Sequence, residues 1–357
     1  RLCGEIRGAR GRASGMGAVL PEVVDTVYFG GGTPSLLSAE QMRRIFSALR
    51  NEFEVEISAE ITLECAPGQL AGETLEELLG QGMNRVSLGV QSFVDAESAA
   101  VGRLHTGAMC LSEVARLRAA GVADINVDLI VGLPLQTAES WRFSVEEMIA
   151  TGVGHGSVYM LEVDAESRLG REALAGGARY SAGTLPGEDA VADWYEAGCE
   201  WLGAAGIGQY EISNFAREGR ASRHNLKYWR RDAYVGFGLD AHSMLRVGSE
   251  AVRFANGDSL DGYMSELPML GARPEVDRVG VVEAFEEALF LGLRLNVGVD
   301  LGALRREFGV ALVEGVGAAF AEMVEGGLLW VEGERVGLTA RGRVVSNEVF
   351  ERVLVGA

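Results

Sequence analysis

Between residues 25 and 165 the chain repeats one rhythm: a short β-branched or apolar run, a longer amphipathic stretch, then another short run. Repeated βα units produce this pattern when successive strands lie parallel and each helix crosses back over the sheet. The rhythm predicts strands over 26–29, 56–63, 85–90, 124–131 and 157–163. Between them, SAEQMRRIFSALRNEF opens on a Ser38 cap and sets Met42, Ile45, Phe46 and Leu49 on one face. GETLEELLGQG, LSEVARLRAAG and AESWRFSVEEMIATG repeat the theme, each closing near glycine. Five such strands with right-handed crossovers give an α/β fold, either an open sheet or part of a barrel, and both place ligands at the carboxyl ends of the strands.

The strand ends carry polar motifs. Tyr28-Phe29-Gly30-Gly31-Gly32-Thr33-Pro34-Ser35 is a glycine run at the end of the first strand, where missing side chains let the backbone approach a ligand. A tight turn needing positive φ explains a lone glycine run equally well. Glu64 follows the next strand in TLECAPG, Gln91 and Ser92 end the third in SLGVQSF, and Asp128 lies in NVDLIVGLP. Singly, these read as a solvated carboxylate, a strand-end amide and a buried acid. Together, a carboxylate and amides delivered to one rim suit ribose hydroxyls, and Arg103 in VGRLHTG suits a ligand carboxylate.

Composition narrows the partners. With 32 Lys and Arg against 51 Asp and Glu in 357 residues, the net charge is −19, which disfavours nucleic acid. Cysteines at 3, 65, 110 and 199 match neither a disulfide framework nor a local zinc or iron–sulfur spacing, and predict a reducing compartment. No run reaches 18 apolar residues, and the first twenty residues interleave arginine with glycine, unlike a secretory signal. The expectation is a cytoplasmic protein without an integral membrane segment.

Further on, EALAGGARYSAGTLPG (172–187) reads as a loop or boundary, EDAVADWYEAGCEWLGAAG as a helix with Ala192, Tyr195, Cys199 and Leu202 on one stripe, and 266–280 as a second loop. Helices near 281–294, 300–307 and 311–325, then a hairpin turning at Gly333 and a short helix, suggest a winged-helix-like module. A DNA role is disfavoured because residues 281–330 offer only Arg294, Arg305 and Arg306 among many acids; a lid or docking role is preferred. Within SRHNLKYW, the His224 imidazole is suited to heme iron, and Tyr228 and Trp229 to packing on a porphyrin, although an isolated histidine near two aromatics is more often a packing motif. His105, His155 and His242 are weaker candidates.

The ordered set YFGGGTPSLL, ITLECAPG, NRVSLGVQSF, VGRLHTG, INVDLIVGLP and HNLKYW resembles the radical S-adenosylmethionine (SAM) proteins related to oxygen-independent coproporphyrinogen III oxidase, and most resembles their heme-chaperone branch. The resemblance runs from about residue 2 to the C-terminus. It implies a partial, open parallel α/β barrel of radical SAM type (1–178), a connecting heme-motif region (179–268) and a small, mostly helical winged-helix-like C-terminal domain (269–357). It assigns Gly31, Gly32, Thr33, Glu64, Gln91, Arg103 and Asp128 to S-adenosylmethionine, and His224, Asn225, Tyr228 and Trp229 to heme, with His224 the possible iron ligand.

In the family a [4Fe-4S] cluster is held by closely spaced cysteines in the first strand-to-helix loop, and this chain has no such motif. Cys65 stands where relatives usually carry asparagine, and its ordinary reading is a small semi-buried residue; Asp240 stands where they show glycine before Ala-His-Ser. The opening at Arg1 leads us to expect the cluster ligands upstream, the alternative being a natural variant without a cluster. No catalytic residue is nominated. The implied function is a heme chaperone that passes heme to client hemoproteins, more than a coproporphyrinogen III oxidase acting by oxidative decarboxylation; a cluster-less binding module from the same barrel is the third reading.

Overall fold

The computed structural model describes residues 1–163, 168–175, 179–265 and 276–354. Contacts divide it into two compact units, neither continuous in sequence. One joins Val27–Met42 with Glu60–Ala221; the other joins Arg1–Thr26, Arg43–Ala59 and Ser222–Ala357. The domain limits expected at 178 and 268 lie outside the described residues.

The chain runs through α1 (Leu2–Arg7), α2 (Ala9–Gly15), β1 (Val23–Phe29), α3 (Ala39–Glu52), β2 (Glu54–Cys65), α4 (Gly72–Gly80), β3 (Arg85–Gln91), α5 (Asp95–Ala100), α6 (Gly107–Ala119), β4 (Asp124–Val131), α7 (Ala138–Ala150), β5 (His155–Met160), α8 (Arg168–Leu174), α9 (Glu188–Ala204), β6 (Gly208–Glu211) and β7 (Asn214–Ala216). These seven strands form one open sheet in the order β1-β2-β3-β4-β5-β7-β6. Strands β2 to β5 are parallel, and the β7–β6 hairpin adds antiparallel to β5. This is the open, parallel-dominated sheet that the resemblance implies.

A wholly buried parallel strand reads as a continuous apolar run. Here every second residue breaks that run. Register places Glu64, Ser87, Asn126 and His155 in one row across the sheet, and Asp128, Ser157 and Asn214 in the next. The other face carries Leu63, Val86, Leu88, Val127, Leu129 and Val158, all buried, with α6, α7 and α9 packed on its strands. The sheet therefore has one oily face for helices and one polar face.

Helix α3 starts as its sequence demands: Ser38 Oγ accepts from the Gln41 amide, Gln41 Oε1 accepts from the Ser38 amide, and Met42, Ile45, Phe46 and Leu49 are buried. Helix α7 seats Trp141, fully buried, whose indole N–H donates to Trp194 O on α9 at 2.7 Å. Gly198 makes the approach possible, since a Cβ there would lie 2.9 Å from the ring.

In the other unit follow α10 (Arg223–Trp229), β8 (His242–Val247), β9 (Glu250–Ala255), α11 (Leu260–Ser265), β10 (Asp277–Val279), α12 (Val281–Leu293), β11 (Val299–Asp300), α13 (Leu301–Phe308), α14 (Val310–Gly315), α15 (Gly317–Glu325), β12 (Leu329–Glu332), β13 (Arg335–Leu338), α16 (Ala340–Val344) and α17 (Ser346–Arg352). Two small sheets, β10-β9-β8 and β11-β13-β12, serve it. The second forms the wing, its hairpin turning at Gly333 with φ +62°. Buried carboxylates tie the unit together. Glu5 accepts from Arg12, Asn256, Tyr263 and the Gly238 amide, and Glu287 sits between Arg231 and Arg253.

Four expectations need correction. Strand β5 begins at His155, earlier than expected, and ends at Met160. Its glycine-rich start reads as a loop, but Gly156 is there because the Met148 side chain fills its Cβ position. The stretch 172–187 holds the end of α8 and a 3-10 helix, Arg179–Thr184. Residues 266–275 lie outside the described residues, while Asp277–Val279 pairs with β9 as a strand. The helix expected over 311–325 is broken between α14 and α15.

Trp141→Ala removes a fully buried indole and should cost about 3–5 kcal/mol of unfolding free energy. Urea denaturation checks this; a loss below about 1 kcal/mol would show that the α7–α9 packing matters little.

Candidate functional site

The carboxyl ends of β1 and β2 are knotted by one carboxylate. Glu64 Oε1 accepts from the Tyr28 hydroxyl at 2.7 Å, and Oε2 accepts from the Gly31 amide at 3.2 Å. Glycine is required at two levels here. A Cβ on Gly30 would lie 2.7 Å from the Tyr28 ring and 3.1 Å from the Glu64 carboxyl carbon, while Gly31 and Gly32 adopt φ of +70° and +48°. Thr33 follows at φ −143° and leads into a short 3-10 turn, Pro34–Leu36. Burial, and then the Glu64 charge, push the Tyr28 phenol well above its usual range, so it stays a donor.

On β4, Asp128 is half-buried. Oδ1 accepts from Asn126 Nδ2 at 2.7 Å and Oδ2 from the Ser87 hydroxyl at 3.0 Å. Burial raises its pKa more than its hydrogen bonds lower it, and Glu64 adds to the rise. The lattice continues: the Ser157 hydroxyl donates to Asn214 Oδ1 at 2.9 Å, and Asn126 Oδ1 lies 2.6 Å from His155 Nδ1. Since Asn126 Oδ1 can only accept, His155 carries its proton on Nδ1 and takes the Tyr210 hydroxyl, at 2.9 Å, on Nε2. Burial holds the His155 imidazole neutral, with its pKa well below the ordinary histidine value.

Gln91 closes β3 one step beyond a register shift between Gly89 and Gln91, buried and at φ +67°. Its amide side chain makes no hydrogen bond to the described residues. A non-glycine residue in left-handed backbone with an uncommitted amide is the kind of strain that collects at ligand sites. Arg103, between α5 and α6, is exposed and is not drawn into the bonded set. The structure thus brings together Gly31, Glu64 and Asp128, with Gln91 on the intervening strand, and leaves Arg103 apart from their bonds. Sequence reasoning missed Gly30, Tyr28, Ser87, Asn126 and Ser157 as site residues. The signal was the two-residue alternation on either side of each nominated position.

In the other unit, α10 carries the histidine motif behind a Ser222 cap, whose hydroxyl accepts from the Asn225 amide at 3.2 Å. His224 Nδ1 lies 3.0 Å from Thr26 Oγ1 and Nε2 lies 3.1 Å from the Tyr228 hydroxyl. Burial, with a smaller effect from Lys227, pushes its pKa down to about 4. Tyr228 stands edge-on to both His224 and Tyr234, with centroids 5.2 and 4.7 Å away. Trp229 lies under the Arg294 guanidinium at 4.3 Å, and the half-buried Asn225 side-chain amide makes no hydrogen bond to the described residues. The weaker histidines have structural duties. His105 Nε2 lies 2.9 Å from Val90 O, His155 is in the lattice, and His242 stands exposed 3.7 Å from Asp240. Asp240 itself adopts φ +56°, so the position does ask for left-handed backbone, which aspartate tolerates better than most residues.

Among the described residues, no three His, Cys, Asp or Glu side chains lie together as a metal site, and the four cysteines are separate free thiols. Burial pushes the Cys65 and Cys110 thiols up to about 11 and 12, the opposite of what thiolate ligands need. The chain's own residues do not fit a [4Fe-4S] cluster.

Comparison with known proteins places this geometry. Residues 17–148 match the Radical SAM superfamily and residues 282–345 the HemN C-terminal domain. The chain is 33% identical to the heme chaperone HemW of Lactococcus lactis, covering 94% of this chain and 86% of that one. It is 32% identical to HemW of Bacillus subtilis, covering 91% and 84%. Among solved structures, coproporphyrinogen III oxidase (HemN) of Escherichia coli, a radical SAM enzyme, superposes with a TM-score of 0.78 at 21% identity, covering 99% of this chain and 82% of that one. That last likeness is one of fold.

Asp128 supplies a pH test. A carboxyl whose folded pKa is raised favours folding in full below its unfolded value of about 3.9, and that contribution is lost as pH rises through the folded value. Asp128→Asn should therefore gain stability relative to wild type as pH rises from about 4 towards 7. Urea midpoints across that range check it; a difference independent of pH would contradict the assignment.

Proposed function

Because this chain belongs to the heme chaperone HemW family of the radical SAM superfamily, we propose that it binds heme through His224 and passes it to client hemoproteins, with S-adenosylmethionine held at the strand ends. The observation that carries the heme assignment is the state of His224. Its imidazole is neutral at physiological pH because burial pushes its pKa down to about 4, and a neutral imidazole is the form that ligates iron. Tyr228, edge-on to it, and Trp229 share its helix and bring aromatic rings to it. Asn225, one residue on, brings a side-chain amide uncommitted within the described residues.

S-adenosylmethionine suits the other site by its donor and acceptor pattern. Gly31 and Gly32 expose backbone without side-chain bulk, Thr33 adds a hydroxyl next to them, Glu64 and Gln91 offer an acceptor and an amide for ribose hydroxyls, and Asp128 anchors the neighbouring strand. Arg103 is assigned to the ligand's carboxylate. When bound beside a cluster in the wider superfamily, this cofactor supplies a 5′-deoxyadenosyl radical; here the protein's own residues bind and orient it. The four free thiols support a reducing, cytoplasmic setting, and no helix among the described residues is long and apolar enough to cross a membrane.

The competing activity is oxidative decarboxylation of coproporphyrinogen III. The HNLKYW helix favours the chaperone reading. Hemin titration should give a Soret band for wild type whose apparent affinity falls at least about tenfold in His224→Ala. An unchanged spectrum in that variant would remove His224 as the ligand, and anaerobic turnover of coproporphyrinogen III would replace the chaperone reading with the enzymatic one.

A further inference from the structure

A neutral imidazole has one N–H and one lone pair, and only the lone pair can bind a metal. In His224 both ring nitrogens are engaged, Nδ1 by Thr26 Oγ1 at 3.0 Å and Nε2 by the Tyr228 hydroxyl at 3.1 Å. A phenol is a stronger hydrogen-bond donor than an aliphatic alcohol, so the consistent assignment has Tyr228 O–H donating to Nε2 and Nδ1–H donating to Thr26. The lone pair that iron needs is then the one that Tyr228 holds. We propose that Tyr228 is a latch on His224: its hydroxyl must leave Nε2 before heme iron can take that nitrogen, while Thr26 keeps the ring oriented throughout. The inference rests on the heme reading given above and adds its regulation.

The surroundings suit a residue that swings and returns. Tyr228 is only half-buried and four residues from His224, so both sit on one face of α10. Its ring rests edge-on against Tyr234 at 4.7 Å, and Tyr234 is fixed by paired backbone bonds with Met244 at 2.9 and 3.0 Å. The whole side chain must swing, since turning the O–H alone would leave its oxygen 3.1 Å from Nε2, and Tyr234 is the stationary neighbour to which the ring returns. Loading breaks the O–H···N bond and forms an Fe–N bond; no proton or electron changes owner. Release reverses this, and the latch recaptures the nitrogen, so heme leaves without stranding a buried acceptor. A carrier that must give up its cargo gains by that arrangement, at the cost of tightness. Thr26 is a positioning residue of the kind that usually orients a ligating histidine through its other nitrogen.

Hemin titration and stopped-flow association of Tyr228→Phe, Thr26→Val and His224→Ala test this, with thermal unfolding confirming that each variant folds. Tyr228→Phe keeps the ring and removes the competing bond. It should bind about 2- to 13-fold tighter, the equivalent of a net hydrogen bond of about 0.5–1.5 kcal/mol, and load faster with the same Soret position. Thr26→Val should bind more weakly. Unchanged or weaker binding in Tyr228→Phe, with the band lost in His224→Ala, would overturn the latch and leave the heme site standing. A band unaltered in His224→Ala would overturn the heme site and the latch together.

Discussion

The fold rests on a constraint that parallel sheets seldom accept: one face of β2 to β5 is polar and much of it is out of contact with water. Buried donors and acceptors are tolerated only when each finds a partner. Most here do so across strands, Ser87 with Asn126 and Asp128, Asn126 with His155, and Ser157 with Asn214, while Thr62 Oγ1 and Arg85 Nε, paired in register at the start of the same face, have no partner among the described residues. Such bonds fix strand register as firmly as the apolar face does. They also leave the ligand end defined, because the Tyr28–Glu64–Gly31 knot places a carboxylate and a bare backbone at the strand ends.

The second unit uses the same economy with charges. Glu5 and Glu287 are buried acids, each surrounded by donors from distant segments, so the N-terminal helix, the β8–β9 hairpin and α12 are tied to particular partners. Removing one partner would leave a charge buried, which makes such ties specific. The same unit positions His224. A helix cap at Ser222 sets the start of α10, the ion pair of Lys227 with Asp25 at 2.8 Å fixes its rotation against β1, and Thr26 then meets Nδ1. The imidazole is neutral because of where the helix lies.

Much of this was legible in the residue order. The expected range of the fourth strand coincides with β4, and the buried stripe of α3 and the turn at Gly333 fall where the periodicity and glycine chemistry put them. What stayed hidden depends on long-range register. Nothing in GVGHG announces a strand until Gly156 is seen under Met148, and nothing in DRV announces pairing until β9 is beside it. The site shows the same split. Glu64 and Asp128 stand out as acids at strand ends, but their partners Tyr28, Ser87 and Asn126 are ordinary residues whose role depends on the neighbouring strand. His224 was legible as a candidate, whereas the capture of its second nitrogen by Tyr228 was not.

The central claim is that the knotted strand ends bind an adenosyl sulfonium nucleoside through Glu64. Calorimetric titration of S-adenosylmethionine into the wild-type protein and into Glu64→Gln tests it directly. The account predicts saturable binding to wild type, weakened at least about tenfold in the variant because an ionised acceptor of ribose hydroxyls is lost. Equal binding by the two proteins would contradict it.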